Sequence, residues 1–496
     1  MARKSIFYNA LLLTGVNLLL RFVSTSFQIY LSSRIGAEGI GLMQLVMTVG
    51  GMATVAAMAG VRTTTMYLTA EELGRGRPQN YACVLSACVS YSVAVSGAVS
   101  AALYLLAPTL AVNWVGSAET EPALRLLAVL LPMNCLCGVM VGFFTGAGKI
   151  TTLAAVEVAE QACSMVCTMA LLTFWAGSSR MHAVESVILG TAMGTALTLC
   201  CLCILRLRQS GGHGSREPIA RRLLSTAVPL ALADDLRTGI STVENLMVPK
   251  RLALYAGAIS PLAAFGMVNG MVFPVLMFPM AILFGLTELL VPELARCRAA
   301  GSEQRVRYLV RKSLGIALLF GAFCAGIPYL LADFLGQRLY RSAEVGEYLR
   351  WFAPLAVMLY LDAVTDAMIK GLGQQTASVR YNIFTNSLDV ALLYVLLPEF
   401  GIFGYYLSFL VTHVINFFLS LRRLLRISGV KISAKLPLAC LASAAFAAYA
   451  ATYATTPVMK TICYTLLLGA LWYLTGVVQR QDLRWLITLM KKKGAA

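Results

Sequence analysis

The chain has 496 residues, 58% of them apolar and only 13% charged, and a mean hydropathy of +0.75 excludes an ordinary soluble domain. Forty Lys and Arg against 23 Asp and Glu leave a formal net charge of +17. These basic residues are dispersed, with no compact aromatic and basic module, so their expected partners are anionic membrane lipids and not nucleic acid.

Fourteen stretches are long and apolar enough to cross a hydrocarbon core of roughly 30 Å as helices. Span 1, residues 5 to 32, is too long for a cleaved leader, lacks a convincing small-residue cleavage site and carries Arg21, so it reads as retained. Thr14, Asn17, Arg21, Thr25 and Gln28 recur every three or four residues and form one polar stripe, which must face a bundle interior or a wet cavity. At ~1.5 Å per residue, Arg21 sits ~24 Å from the start of the span, near or just past the midplane. Charge at that depth costs several kcal/mol, which makes Arg21 a functional candidate.

Span 2, residues 40 to 69, holds Gln44 and Arg62, 18 residues or five turns apart and therefore on one face. The plainer reading of Arg62 is a side chain snorkelling to the inner interface. Spans 3 and 4 cover 81 to 107 and 122 to 145. The following Gly146-Ala-Gly-Lys149 lacks the spacer and the Ser or Thr of a phosphate loop. Span 5, 150 to 176, gathers Glu157, Glu160, Gln161, Ser164 and Thr168 on a broad face, where the acids could pair arginines in an empty site or hold a coupling ion. Span 6, 183 to 206, leads into a basic loop ending at Arg222, with Gly211, Gly212, Gly214 and Pro218, that reads as a linker.

Span 7, 223 to 249, repeats the polar stripe with Asp234, Arg237, Ser241 and Glu244. The plainer reading of Arg237 is an ion pair with Asp234 three residues earlier. Spans 8 to 14 cover 261 to 292, 310 to 333, 346 to 370, 378 to 398, 401 to 422, 435 to 455 and 460 to 480. Asp362, Asp366 and Lys370, spaced by four in span 10, predict pairing along one helix. Arg484 to Lys493 reads as a short amphipathic segment on the inner surface.

With Met1 inside, 28 of the 40 Lys and Arg fall on the cytoplasmic side and seven outside, so both termini are expected in the cytoplasm. The 13 cysteines lie almost entirely within spans and read as buried small side chains. Only three histidines are present, none with metal-like spacing, so no metal or cofactor is expected.

The chain also repeats itself. At a shift of 225, Tyr104 to Ala107 meets Tyr329 to Ala332, Ser117 to Glu119 meets Ser342 to Glu344, Arg125 meets Arg350, and Gly146 to Gly148 meets Gly371 to Gly373. Upstream the shift becomes 216, and Arg21, Gln28 and Arg34 fall on Arg237, Glu244 and Lys250. The pattern predicts a duplicated six-helix unit, with copies of the same orientation and a substrate site between them. The expected organisation is an N-lobe over 1–206, a linker over 207–222, a C-lobe over 223–424, two extra helices over 425–480 and a basic tail over 481–496. A cluster of Arg21, Arg62 and Arg237 would suit a diphosphate, because the planar guanidinium fork makes paired, charge-assisted bonds to phosphate oxygens.

With Ile35 to Val46 following Arg21, the pair Glu160-Gln161, and Pro229 in span 7, the chain resembles the stage V sporulation protein B family. That family sits in the polysaccharide flippase branch of the multidrug/oligosaccharidyl-lipid/polysaccharide exporter superfamily. The resemblance implies an all-α polytopic fold, two six-helix lobes in a V around a central cavity, and two further helices bordering a groove for a polyprenyl tail. It implies diphosphate contacts at Arg21, Arg62 and Arg237. Asn17, Gln28, Glu157, Glu160, Asp234 and Glu244 then stand as polar or coupling residues of the cavity. The expected function is to flip a polyprenyl-diphosphate-linked saccharide across a bacterial cytoplasmic membrane, for spore cortex or cell envelope, beside cell-envelope synthases and as a monomer. The rival readings are a cation-coupled multidrug extruder on the same fold and, further off, a membrane glycosyltransferase or polymerase, for which every external loop is short.

Overall fold

The computed structural model describes residues 2–75, 80–175, 180–207, 219–257 and 260–478; within these, residues 2–14, 16, 17, 74, 150, 220, 233, 288 and 289 are described by backbone alone. The linker core, the tail beyond 478 and the side chains of Asn17 and Glu288 therefore lie outside the described residues. No strand occurs among those described. In chain order the helices are α1 (Ala2–Met58), α2 (Val61–Gly74), α3 (Tyr81–Thr109), α4 (Glu121–Gly146), α5 (Ile150–Phe174), α6 (Arg180–Leu207), α7 (Ile219–Leu252) and α8 (Pro261–Met267). They continue as α9 (Phe273–Met277), α10 (Met280–Ala299), α11 (Glu303–Leu330), α12 (Ala332–Leu335), α13 (Ala343–Phe352), α14 (Leu355–Gly371), α15 (Gln375–Ser428), α16 (Lys435–Ala451) and α17 (Pro457–Leu474).

Each expected span has a helical counterpart at its place. Eight helical stretches among the described residues are long and apolar enough to cross a membrane alone, and ten if two bent pairs count as one span each. Two of the eight contain a glycine at which the chain leaves the helix, Gly36 with φ 71° inside α1 and Gly401 with φ 56° inside α15. Only glycine holds such a conformation without a Cβ penalty. Among the described residues α7 is not one of the eight, because Asp234, Asp235, Arg237 and Glu244 dilute its hydropathy.

By compactness the chain forms two units. The first is Met1–Gly270 with Val390–Ile402, and the second is Met271–Asp389 with Phe403–Ala496. In the first, Ile219, Leu223 and Ala227 recur every four residues on α7 and bury against Val61 and Leu68 of α2, Val84 and Cys88 of α3 and Val139 of α4. Elsewhere in it α8 crosses the second half of α1 at backbone contact. A methyl group on Gly41 would meet the carbonyl of Leu262 at 2.2 Å, and one on Gly266 would meet that of Ala37 at 2.1 Å.

The second unit packs Leu330 of α11 with Ala447, Ala451, Tyr464 and Leu468 of α16 and α17. The Tyr464 hydroxyl donates to the Ala322 carbonyl at 2.9 Å, and its ring covers Gly326. These helices and α14 line an apolar cavity of about 420 Å³, walled by Ala322, Tyr329, Val357, Ala444, Ala448 and Tyr464.

The shift of 225 reappears in the backbone. A π-helical turn at Leu110–Val115 ends on left-handed Gly116 and extended Ser117, and one at Gly336–Tyr340 ends on left-handed Arg341 and extended Ser342. Gly148 and Gly373, also 225 apart, have φ 73° and 71°.

Candidate substrate cavity

Ala59 and Gly60 take left-handed conformations, φ 41° and 68°, and break the helix just before Arg62. That break corrects the expectation that Gln44 and Arg62 share one face through five unbroken turns. Two successive left-handed residues interrupt the 3.6-residue phase, and α2 begins afresh at Val61. Gly60 is needed here for a second reason. A Cβ on it would lie 2.7 Å from the Ala227 carbonyl and 3.2 Å from the Ala231 amide, so α7 rests directly on the break.

Beside this contact is a cavity of about 400 Å³. Val55, Met58, Gly60, Arg62 and Thr63 line one wall, and Asp234, Arg237, Thr238 and Ser241, successive turns of α7, line the other. Arg62, Asp234 and Arg237 are exposed, and among the described residues none of the three has a hydrogen-bond or ion-pair partner for its side chain. In particular, Asp234 and Arg237 do not form the local pair that their spacing allows. Arg62 is the second residue of α2, so the positive end of that helix dipole also lies at the cavity.

The remaining expected residues are distributed around it. Arg21 is exposed on α1, where Thr25 Oγ1 donates to its backbone carbonyl at 2.9 Å, and it is not a lining residue. Gln28 is engaged, its Nε2 donating to the Gly270 carbonyl at 3.1 Å, while Gln161 donates to Ser24 Oγ at 3.2 Å. Glu160 accepts from Thr195 at 3.2 Å and Thr198 at 2.8 Å on α6. Glu157 is half-buried and within electrostatic range of Arg62. Glu244 is half-buried on α7, outside the lining set. Thr63 and Thr238 were not singled out from sequence. Thr238 was within reach, since Asp234, Thr238 and Ser241 share one helical face, whereas Thr63 depends on the Ala59–Gly60 break.

One expectation in the second unit needs correcting. Lys370 pairs with Asp366 at 2.6 Å as the spacing of four implies, but Asp362 does not join them. Its carboxylate turns to α15, accepting from Asn416 Nδ2 at 2.9 and 3.0 Å and lying 3.3 Å from His413 Nδ1. Burial decides the difference. Asp362 is buried and must be met by donors from a packed neighbour, whereas Asp366 is near the helix end beside Lys370.

The described residues form a polytopic helical fold with two arginines lining one cavity, an arrangement that suits a transporter. The comparisons agree. A family model described as MatE matches residues 236–395. Stage V sporulation protein B of Bacillus subtilis (strain 168) is 22% identical over 418 residues, covering 82% of this chain and 80% of the relative. An inward-facing multidrug resistance MATE family transporter of the MOP superfamily superposes with a TM-score of 0.70 at 14% identity, over 84% of this chain and all of that one. The lipid II flippase MurJ, in an inward closed conformation, superposes with a TM-score of 0.68 at 11% identity, over 93% and 98%. The resemblance read from the sequence therefore stands: the fold is the MATE-like one, and the chain is a multi-pass membrane transporter of the flippase and exporter kind, not an enzyme.

Proposed function

We propose that this transporter flips a polyprenyl-diphosphate-linked saccharide, a peptidoglycan precursor or polysaccharide repeat unit, from the inner to the outer leaflet of a bacterial cytoplasmic membrane. The observation that carries the reading is the pair Arg62 and Arg237 lining one cavity, neither with a hydrogen-bond or ion-pair partner for its side chain among the described residues. Two guanidinium groups lining one cavity make its wall electropositive, and a diphosphate would neutralise that charge while accepting forked bonds from both. Asp234 leaves the lining set with an excess of one positive charge, which favours an anion over a cation. The kinship with stage V sporulation protein B and the fold shared with a lipid II flippase support the same substrate class.

Arg21 is the third contact, reached when the repeat copies rock and the cavity opens. The lipid tail stays in the bilayer, the saccharide crosses with the diphosphate, and the carrier returns empty. Both termini are cytoplasmic by the Lys and Arg distribution.

A cation-coupled drug extruder is favoured by the Asp234 carboxylate in the cavity, which has no ion-pair partner among the described residues, and by the match to the MatE family model and the fold shared with a multidrug resistance MATE transporter. The experiment that separates the two readings assays Asp234→Asn, Arg62→Ala and Arg237→Ala for both precursor flipping and drug resistance. Loss of flipping in the arginine variants, with unchanged drug sensitivity, supports the flippase. Loss of drug resistance in Asp234→Asn alone overturns it.

A further inference from the structure

The two helices that wall the cavity are tied together a second time, toward the end of the chain segment that the Lys and Arg distribution makes cytoplasmic. Arg222, in the first turn of α7, donates from Nη1 to Glu72 Oε1 at 3.0 Å and from Nη2 to Glu71 Oε2 at the end of α2. The acceptors are themselves held. Arg75 Nη2 lies 2.7 Å from Glu71 Oε1, and Asn80 Nδ2 donates to Glu72 Oε2 at 3.0 Å. Glu72 has a side chain 1% exposed, an unusual position for a carboxylate at a helix end.

From Gly60 to Glu72 is 12 residues, ~18 Å of helix, and over that length α7 follows α2. The Gly60 contact with Ala227 and Ala231 comes first, the apolar seam of Ile219, Leu223 and Ala227 against Val61 and Leu68 next, and the Arg222 pairs last. No side chain of the cavity wall is used in these pairs. These contacts lie between Arg62 and Arg237 and the cytoplasmic ends of the two helices, so parting α2 from α7 there would widen the way to the cavity. Parting them takes Arg222 from Glu72 and leaves that nearly buried carboxylate with Asn80 and with Arg75, whose Nη1 lies 3.8 Å away.

We infer that Arg222, Glu71 and Glu72 form a latch that closes the inner end of the cavity, and that its opening admits the substrate. The inference rests on the cavity being the transport site, but it concerns access and not what is bound. An apolar seam alone would resist parting in proportion to area; the charged pairs add a discrete, switchable barrier. They also make closure selective, because Arg222 is offered an alternative partner by an incoming anion as the pairs break.

The test reads access without any substrate. Thr238, on the cavity wall, is replaced by cysteine, and its rate of modification by a membrane-impermeant maleimide is measured in inside-out and right-side-out vesicles, against the same protein without Thr238→Cys. Arg222→Gln is expected to raise the rate about tenfold in inside-out vesicles and to leave it unchanged in right-side-out ones. Arg222→Glu combined with Glu71→Arg and Glu72→Arg is expected to return it toward the starting value. Should Arg222→Gln not accumulate, the Glu71→Cys, Arg222→Cys pair, bridged by a short thiol cross-linker before the maleimide is added, is expected to suppress modification. An unchanged rate in Arg222→Gln, or in the bridged pair, overturns the latch. Failure of the proposed function would be seen differently, as normal precursor flipping in Arg62→Ala and Arg237→Ala, and would leave these rates as they are.

Discussion

Arg251 and Tyr394 are joined twice: the guanidinium donates from Nε and Nη2 to the Tyr394 carbonyl at 3.1 and 2.8 Å, and it stacks 3.6 Å from the centre of the same residue's ring. The reason lies four residues on. Pro398 has no N–H, so the carbonyl of Tyr394 loses its intrahelical donor inside α15. Arg251, at the end of α7, supplies the missing bonds. Arg251→Ala is expected to lower stability by about 2 kcal/mol, and Arg251→Lys by less. In the Pro398→Ala background the helix recovers its own donor, and the cost of Arg251→Ala should fall by about half. Thermal unfolding of the four proteins in detergent checks it; equal losses in both backgrounds would contradict the account.

Gly116 and Arg341 occupy the same left-handed turn in the two copies of the repeat, φ 83° and 54°. Nothing would touch a Cβ at Gly116 within 4 Å, so only its conformation matters. Gly116→Ala should cost about 1 kcal/mol, whereas Arg341→Gly should cost nothing measurable, because relief of the left-handed strain offsets the greater freedom of the unfolded chain. Unfolding temperatures of the two variants decide.

Asn416 is the main donor to the buried carboxylate of Asp362. Asn416→Leu removes two bonds to a charged group and is expected to destabilise by about 2 to 3 kcal/mol. Replacing both residues by Leu removes the orphaned charge along with its partner and should cost less than the single change. A double variant as unstable as the sum of the singles would refute a coupled pair.

Much of the fold was legible because membrane spans announce themselves by length and apolarity, and the places where the chain leaves the helix fall at glycines such as Gly36 and Gly401. The repeat was legible through Ser117 and Ser342, whose extended backbone ends the same turn. Three things were not. The Ala59–Gly60 break depends on α7 pressing against Gly60, a contact 167 residues away in sequence and therefore invisible to helical phase. Asp362 reads as part of a local i, i+4 ladder until its burial against Asn416 is seen. The latch is hidden because Glu71, Glu72 and Arg222 look like ordinary loop charges; only the packing of Ile219 and Leu223 brings them together.

The central claim is that Arg62 and Arg237 capture a diphosphate in one cavity. It is tested most directly by quantifying the lipid-linked precursor in each leaflet of cells carrying Arg62→Ala or Arg237→Ala, alongside the amount of transporter in the membrane. Capture predicts at least a tenfold loss of outer-leaflet delivery, accumulation in the inner leaflet, near-normal protein levels and only partial rescue by Lys, which lacks the forked donor geometry. Normal flipping by both Ala variants at normal abundance would contradict it.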